Sequence, residues 1–450
     1  MARDLAPAGK VGRSVKLTQR TWLTILLLAF AASFALRAVA INLTPKFDHY
    51  VDLEIYRASA DLILQGVNPY DFSDKMPVRV SLREQSRDPS TRELSQARWD
   101  YYAGSNLPMN LLFFAGLSAV SNTPRMHRYS YAFLDSILSA LIVWFVIRHW
   151  HPGAGALSNL LTSRGVTPNT ALLAEPLAIG ATLGCFSPIL LKYGGALPED
   201  KGIQILLMLA TLACYLSDRE SIWYWGGAVF LGLSIALKGL GLFLAPLFVG
   251  RFLKSGTRSF IRPMLFALMV AGVVLVWLPP FWPGVVTMVK TRLLLASRSL
   301  PQHSSIWVVP YVYFPRAWEA LRLATVLVMC GVSFAGFWRK RIVLELLCTT
   351  FLFVFVSAWL INGSMDRQNI ALLPALLVLG TQSINAALLC MAPYLLAGVG
   401  GLVSRFPMGE YREGMGIMLF LVTYLAILCW FSFARGSAAE EGKASRLAAP

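Results

Sequence analysis

The sequence predicts an all-α polytopic membrane protein of about 11–13 transmembrane helices, with a large extracytoplasmic loop directly after the first span. Three observations predict it. Of the 450 residues 56% are hydrophobic and only 14% charged, with a mean hydropathy of +0.57, a balance foreign to ordinary soluble domains. The apolar residues gather in runs of about 20, the length that crosses a bilayer. Basic residues collect in short clusters between those runs, where the positive-inside rule puts cytoplasmic connections. The 40 Lys and Arg against 24 acids leave a formal charge of +16, which cytoplasmic loops and a phosphate-binding site would both produce. A nucleic-acid module would carry its cations as a stripe on a polar domain, so membrane lipids are expected as partners and nucleic acid is not.

Residues 1–20 read as a cytoplasmic N-terminus and 21–41 as the first span. Arg13, Lys16 and Arg20 before that run fit an uncleaved signal anchor better than a signal peptide cut after Ala38-Val39-Ala40, because the run is nearly long enough to span and further spans follow. Residues 42–107 turn polar and form the first extracytoplasmic loop, in which 79–98 is charged enough for a solvated helix or a mobile segment. Residues 107–119 are too short to span and read as an interfacial or re-entrant helix. Residues 129–147 then cross inward, which leaves Arg125 and Arg128 outside against the charge rule.

Residues 171–191 cross outward to a Gly/Pro break at 192–202, and 203–216 return. Residues 222–250 are too long for one helix and suit two, hinged near Lys238 and Gly239. Further spans are expected at 261–282, 318–338, 342–361, 370–384, 386–403 and 414–433, so that 108–434 form a transmembrane bundle and 435–450 a cytoplasmic tail. The whole is a single integral-membrane domain. The six cysteines lie in or beside apolar runs, with neither a disulfide framework nor zinc spacing. No metal is assigned, His149 and His151 included.

On this topology the polar breaks at 52–70, 192–201, Lys238, 298–303 and 366–369 all face outward, and irregular polar backbone at membrane depth belongs where it lines a cavity. One shared, water-facing site follows. Asp52 is placed to act as a general base, and Tyr56 at i+4 shares its helical face. The other reading of Asp52 is a solvated loop acid among Asp48, Glu54, Asp61, Asp71 and Asp74. Lys238 interrupts an apolar run and is either a partner for a phosphate or a lysine snorkelling to the interface. Arg298, His303 and Arg367 are candidates for phosphate contact or proton transfer, or residues of exposed polar turns.

The stretch DLEIYRASADLILQGVNPYD resembles the first-loop signature of the GT-C superfamily of integral-membrane glycosyltransferases, in particular the polyprenyl-phosphate-mannose-dependent glycosyltransferase family 87. Asp52, Tyr56, Ala58, Gly66, Asn68, Pro69 and Tyr70 match that pattern in order. KYGGALPEDKGIQILLML resembles the break these enzymes carry before a span, and GLSIALKGLGLFLAPLF their lysine-containing hinge. The resemblance implies a GT-C-like fold and an inverting transfer of a hexose, mannose above all, from a polyprenyl-phosphate donor to a lipid-linked acceptor. Asp52 would be the base, with Glu54 completing a D-x-E acidic motif, and Tyr56, Tyr70, Lys238, Arg298, His303 and Arg367 would bind substrate.

It implies a plasma-membrane enzyme with an extracytoplasmic active site. No cofactor is required, while a divalent metal at Asp52 and Glu54 is compatible with the motif. Two rivals are a transporter or flippase of lipid-linked sugars and an O-antigen-ligase-like polymerase. The first calls for internal repeats that the sequence lacks. The second keeps its large outer loop late in the chain, whereas here it follows the first span.

Overall fold

A computed structural model describes residues 17–45, 48, 51–73, 76–77, 79–83, 98–102, 107–150, 156–191, 194, 201–217, 219–254, 260–282, 284–290 and a few between 311 and 324. The described residues are mostly helical. Helix α1, Gln19–Leu43, is capped by Thr18, whose hydroxyl accepts from the Thr21 amide. Its buried stripe of Ser33, Arg37 and Ile41 recurs every four residues and turns toward α4, Pro124–His149. The rest of α1 is apolar and outward-facing, with Leu23, Leu27, Leu28 and Leu43 exposed. Thr123 caps α4 through the Met126 amide, and Pro124 takes the first helical position, where a missing N–H costs nothing. Among the described residues α1 and α4 are the two helices long and apolar enough to cross a membrane.

Helix α4 is central. Helices α1, α6 (Pro168–Gly184) and α8 (Lys201–Tyr215) all pack on it. Phe30 meets Phe133 edge-on at 5.3 Å, and the Ser139 hydroxyl donates to the Gly184 carbonyl at 2.8 Å, tying α4 to the end of α6. Helix α9, Gly227–Lys238, runs between α8 and α11 (Ile261–Leu275) and touches α3 (Pro108–Val120). Gln204 Nε2 donates to Ser234 Oγ at 2.9 Å, pairing a buried amide with a buried hydroxyl between α8 and α9.

Several expected helices appear with shifted ends. The crossing expected at 171–191 is α6 followed by the short α7, Pro188–Leu191: the chain leaves the helix at Cys185–Ser187, ahead of Pro188. The run at 261–282 stops as α11 at Leu275 and continues as a 3-10 turn, Pro279–Phe281, because consecutive prolines remove two amide donors. The hinge expected within 222–250 is present. Gly239 takes φ +79 and ends α9, its amide bonding to the Ile235 carbonyl at 2.7 Å, before a 3-10 turn Leu240–Leu244 and helix α10, Ala245–Lys254. Helix α3 covers the short apolar segment expected at 107–119.

The expectation of a solvated helix or mobile segment over 79–98 needs correction. Its two ends are strands: β3, Arg79–Arg83, pairs antiparallel with β4, Arg98–Tyr102, beside a smaller ladder of β1, Phe72–Ser73, and β2, Met76–Pro77. The register sets Val80 opposite Tyr101 and Leu82 opposite Trp99, β-formers whose alternation was hidden among the charges. Residues 84–97 lie outside the described residues. So do the four spans expected from 342 onward, the terminal segments 1–16 and 435–450, and all of the span expected at 318–338 except 318–321 and 324.

Candidate active site

The candidate site is built around α2, Val51–Leu64, the only helix described between α1 and α3. Leu53, Ile55, Tyr56, Ser59 and Ala60 are buried, a stripe at helical spacing that sets the angle of the helix. Tyr56 stacks on Phe114 of α3, ring centroids 4.3 Å apart and nearly parallel. Asp52 occupies the first turn of α2, one turn before Tyr56, where the helix N-terminus favours a negative charge.

The end of the G-x-N-P-Y signature is a stop device. Gly66, at φ +76, lets the chain turn left-handed. The Val67 amide then reaches the Leu62 carbonyl at 2.8 Å and the Gly66 amide reaches Ile63 at 3.0 Å, the paired bonds of a Schellman ending. Asn68 Oδ1 accepts from the Tyr70 amide at 3.0 Å while Asn68 Nδ2 donates to Asp71 at 2.9 Å, closing a second turn. Tyr70 is thereby driven into the core, fully buried and edge-on to Phe281 at 5.4 Å. Gly66→Ala is expected to cost about 1–2 kcal/mol, because a Cβ resists that backbone conformation. Thermal melting of the detergent-solubilised variant would check this.

The polar side of α2 is held by residues to which the sequence gave no role. Arg57 donates to Glu54 Oε1 at 2.8 Å and to both the side-chain and main-chain oxygens of Asn122, while Asn122 Nδ2 donates to Asp61 at 2.6 and 2.7 Å. Ser118 links Asn122 to His127, lying 3.2 Å from the buried ring's Nε2, and that ring lies over Phe114. Upstream, Asp48 pairs with the buried Arg128 at 2.6 Å and with Arg125 at 3.4 Å, and Arg128 also donates to Thr44. The two arginines that break the charge rule are therefore engaged by an acid just ahead of α2. A lone Asn and a loop Asp gave no periodic or motif signal, which is why sequence reasoning missed them.

Lys238 is the last residue of α9, half-buried and next to the Gly239 turn. Its neighbour Leu237 belongs to one buried cluster with Leu53, Tyr56 and Tyr70, together with Phe114, Ile203 and Phe281. The first turn of α2 and the lysine hinge thus flank the same core. Tyr56 and Tyr70, expected as substrate ligands, are 7% and 0% exposed, so most of each ring faces protein. Glu54 sits in its ion pair with Arg57. Arg298, His303 and Arg367 lie outside the described residues. Among the described residues no three His, Cys, Asp or Glu side chains gather as a metal site. No family model and no curated protein matches the chain.

Proposed function

We propose that the chain is a polytopic membrane hexosyltransferase of GT-C type, moving a hexose, mannose above all, from a polyprenyl-phosphate donor to a lipid-linked acceptor at the outer face of the plasma membrane. One observation carries the reading: Leu53, beside Asp52, and Leu237, beside Lys238, are members of the same buried cluster. A base and a cation for the leaving group need that common anchorage. The ordered match of Asp52, Tyr56, Ala58, Gly66, Asn68, Pro69 and Tyr70 to the first-loop signature supports it further, as do two helices of membrane-crossing length.

In the proposed step the acceptor hydroxyl attacks the sugar C1 while Asp52 takes its proton, so the new C1–O bond forms as the bond from C1 to the phosphate oxygen breaks. The electron pair leaves with the polyprenyl phosphate, whose charge Lys238 stabilises, with Arg298, His303 and Arg367 as further candidates. Attack from the face opposite the leaving group inverts C1. Glu54, through Arg57, acts as a positioning residue for α2, and Tyr56 and Tyr70 fix the helix against α3 and the Phe281 turn. A divalent cation, if bound, would add positive charge near Asp52 and Glu54; the step as written does not pass through it.

The experiment is to incubate membranes containing the protein with radiolabelled polyprenyl-phosphate mannose and identify the labelled lipid. Appearance of a new mannolipid supports the reading; label that only changes leaflet, with no new glycosidic bond, overturns it in favour of a flippase. Lys238→Met is expected to lower transfer about 10²–10³-fold, the scale of one lost donor to developing charge. Initial rates against donor concentration would check it, and an unchanged rate removes Lys238 from the site.

A further inference from the structure

At the opposite end of α4 from His127, a groove of about 510 Å3 lies between the last turns of α4 and α8 and the π-helical turn Ile222–Gly226 that leads into α9. Its walls are apolar, formed by Trp144, Leu216 and Ile222, and its rim carries Arg148, Arg219 and Ser217. The Arg148 guanidinium lies 5.3 Å from the centre of the Trp144 ring. Arg251 of α10 ties down the end of α8: it donates to the Tyr215 and Ser217 carbonyls and rests 4.4 Å from the Trp223 ring. Nearby Glu220 is taken by Arg262. Among the described residues neither Arg148 nor Arg219 is paired with an acid; Asp218 lies outside them.

We propose that this groove binds an acidic phospholipid, its phosphate between Arg148 and Arg219 and one acyl chain along Trp144, Leu216 and Ile222. Charge and shape select that occupant together. Two guanidiniums on the rim attract a net anion, whereas a choline headgroup would bring a third cation among them. A free phosphate would leave the apolar walls wet, so the chain is part of what is recognised. Arg148 lies about 30 Å along α4 from His127, at about 1.5 Å per residue, which is the thickness of a bilayer's hydrocarbon core. The lipid therefore sits in the leaflet opposite the candidate active site. The inference rests on α4 standing in a membrane and not on sugar transfer.

The test is to titrate the detergent-purified protein with phosphatidylglycerol or phosphatidylcholine and count bound lipids by native mass spectrometry. Phosphatidylglycerol is expected to bind at least about tenfold more tightly, and Arg148→Ala and Arg219→Ala to weaken it about fivefold each, the contribution of one cation near a lipid phosphate. Arg148→Lys should retain most of the binding. Arg125→Ala, at the other end of α4, should leave it unchanged, and inorganic phosphate should not compete. Equal binding of the two lipids, equal weakening by Arg125→Ala, or displacement of the lipid by inorganic phosphate overturns the proposal. The comparison of the two lipids on the unaltered protein decides even where an alanine variant fails to fold.

Discussion

Replacing Asp52 with Asn is expected to lower mannosyl transfer about 10²–10⁴-fold, the usual worth of a positioned general base, while the protein keeps its melting temperature. The amide has the carboxylate's shape but cannot take a proton from the acceptor hydroxyl, so the loss should fall on turnover and leave the donor KM nearly unchanged. The fold is expected to tolerate the change because α2 is held elsewhere: by Leu53, Tyr56 and Ala60 in the core, and by the Arg57–Asn122–Asp61 bonds on its polar side. Glu54→Gln gives the contrast. It weakens the contact to Arg57 and retains the helix, so a milder loss is expected if Glu54 only positions α2. Transfer by Asp52→Asn at near the unaltered rate would remove Asp52 from the reaction.

The helices were legible where an apolar run met a clear punctuator. Gly239, where a hinge was expected, is a left-handed stop, whereas the starts of α1 and α4, set by Thr18, Thr123 and Pro124, fall two and five residues ahead of the expected 21 and 129 because those caps were not read. The β3–β4 ladder was not legible, because strand pairing is a non-local bond between segments whose charges masked the alternation of Val80, Leu82, Trp99 and Tyr101. The G-x-N-P-Y motif could be recognised but not explained from the sequence; its glycine and asparagine serve to end α2 and bury Tyr70. The clamp of Asp48, Arg128, Arg57, Asp61 and Asn122 was hidden for a different reason. Its members lie in two groups far apart in sequence and ordinary in type, and packing of α2 against the α3–α4 connection brings the two groups together.

The second large effect concerns a pair of ionisable residues to which the sequence gave no role. Asp135→Ala is expected to destabilise the protein by about 1–3 kcal/mol, because the buried Arg37 loses the carboxyl group that lies close to it, the two being near one another without a hydrogen bond between them. Arg37 of α1 is 0% exposed and Asp135 of α4 is 3% exposed, and a methyl group built on Gly194 would lie 1.9 Å from Asp135 Oδ2 and 3.0 Å from Arg37 Nε. The same construction on Gly202 meets Asp135 Oδ1 at 1.7 Å, so glycine at both positions lets the backbone reach this carboxylate. Gly194 and Gly202, within the break at 192–202, are therefore both seated against the Asp135 carboxyl of α4. Arg37 also donates to Ser33 Oγ, and Ser33 donates on to Ser139 at 2.9 Å, which carries the polar chain from α1 into α4. Replacing both with apolar residues, Arg37→Met with Asp135→Leu, removes the buried charge and should recover most of the loss, since an uncompensated buried charge costs more than hydrocarbon of the same volume. Melting curves of Arg37→Met, Asp135→Leu and the double variant form a thermodynamic cycle. A double variant as unstable as the sum of the singles would mean that Arg37 and Asp135 act on separate parts of the fold.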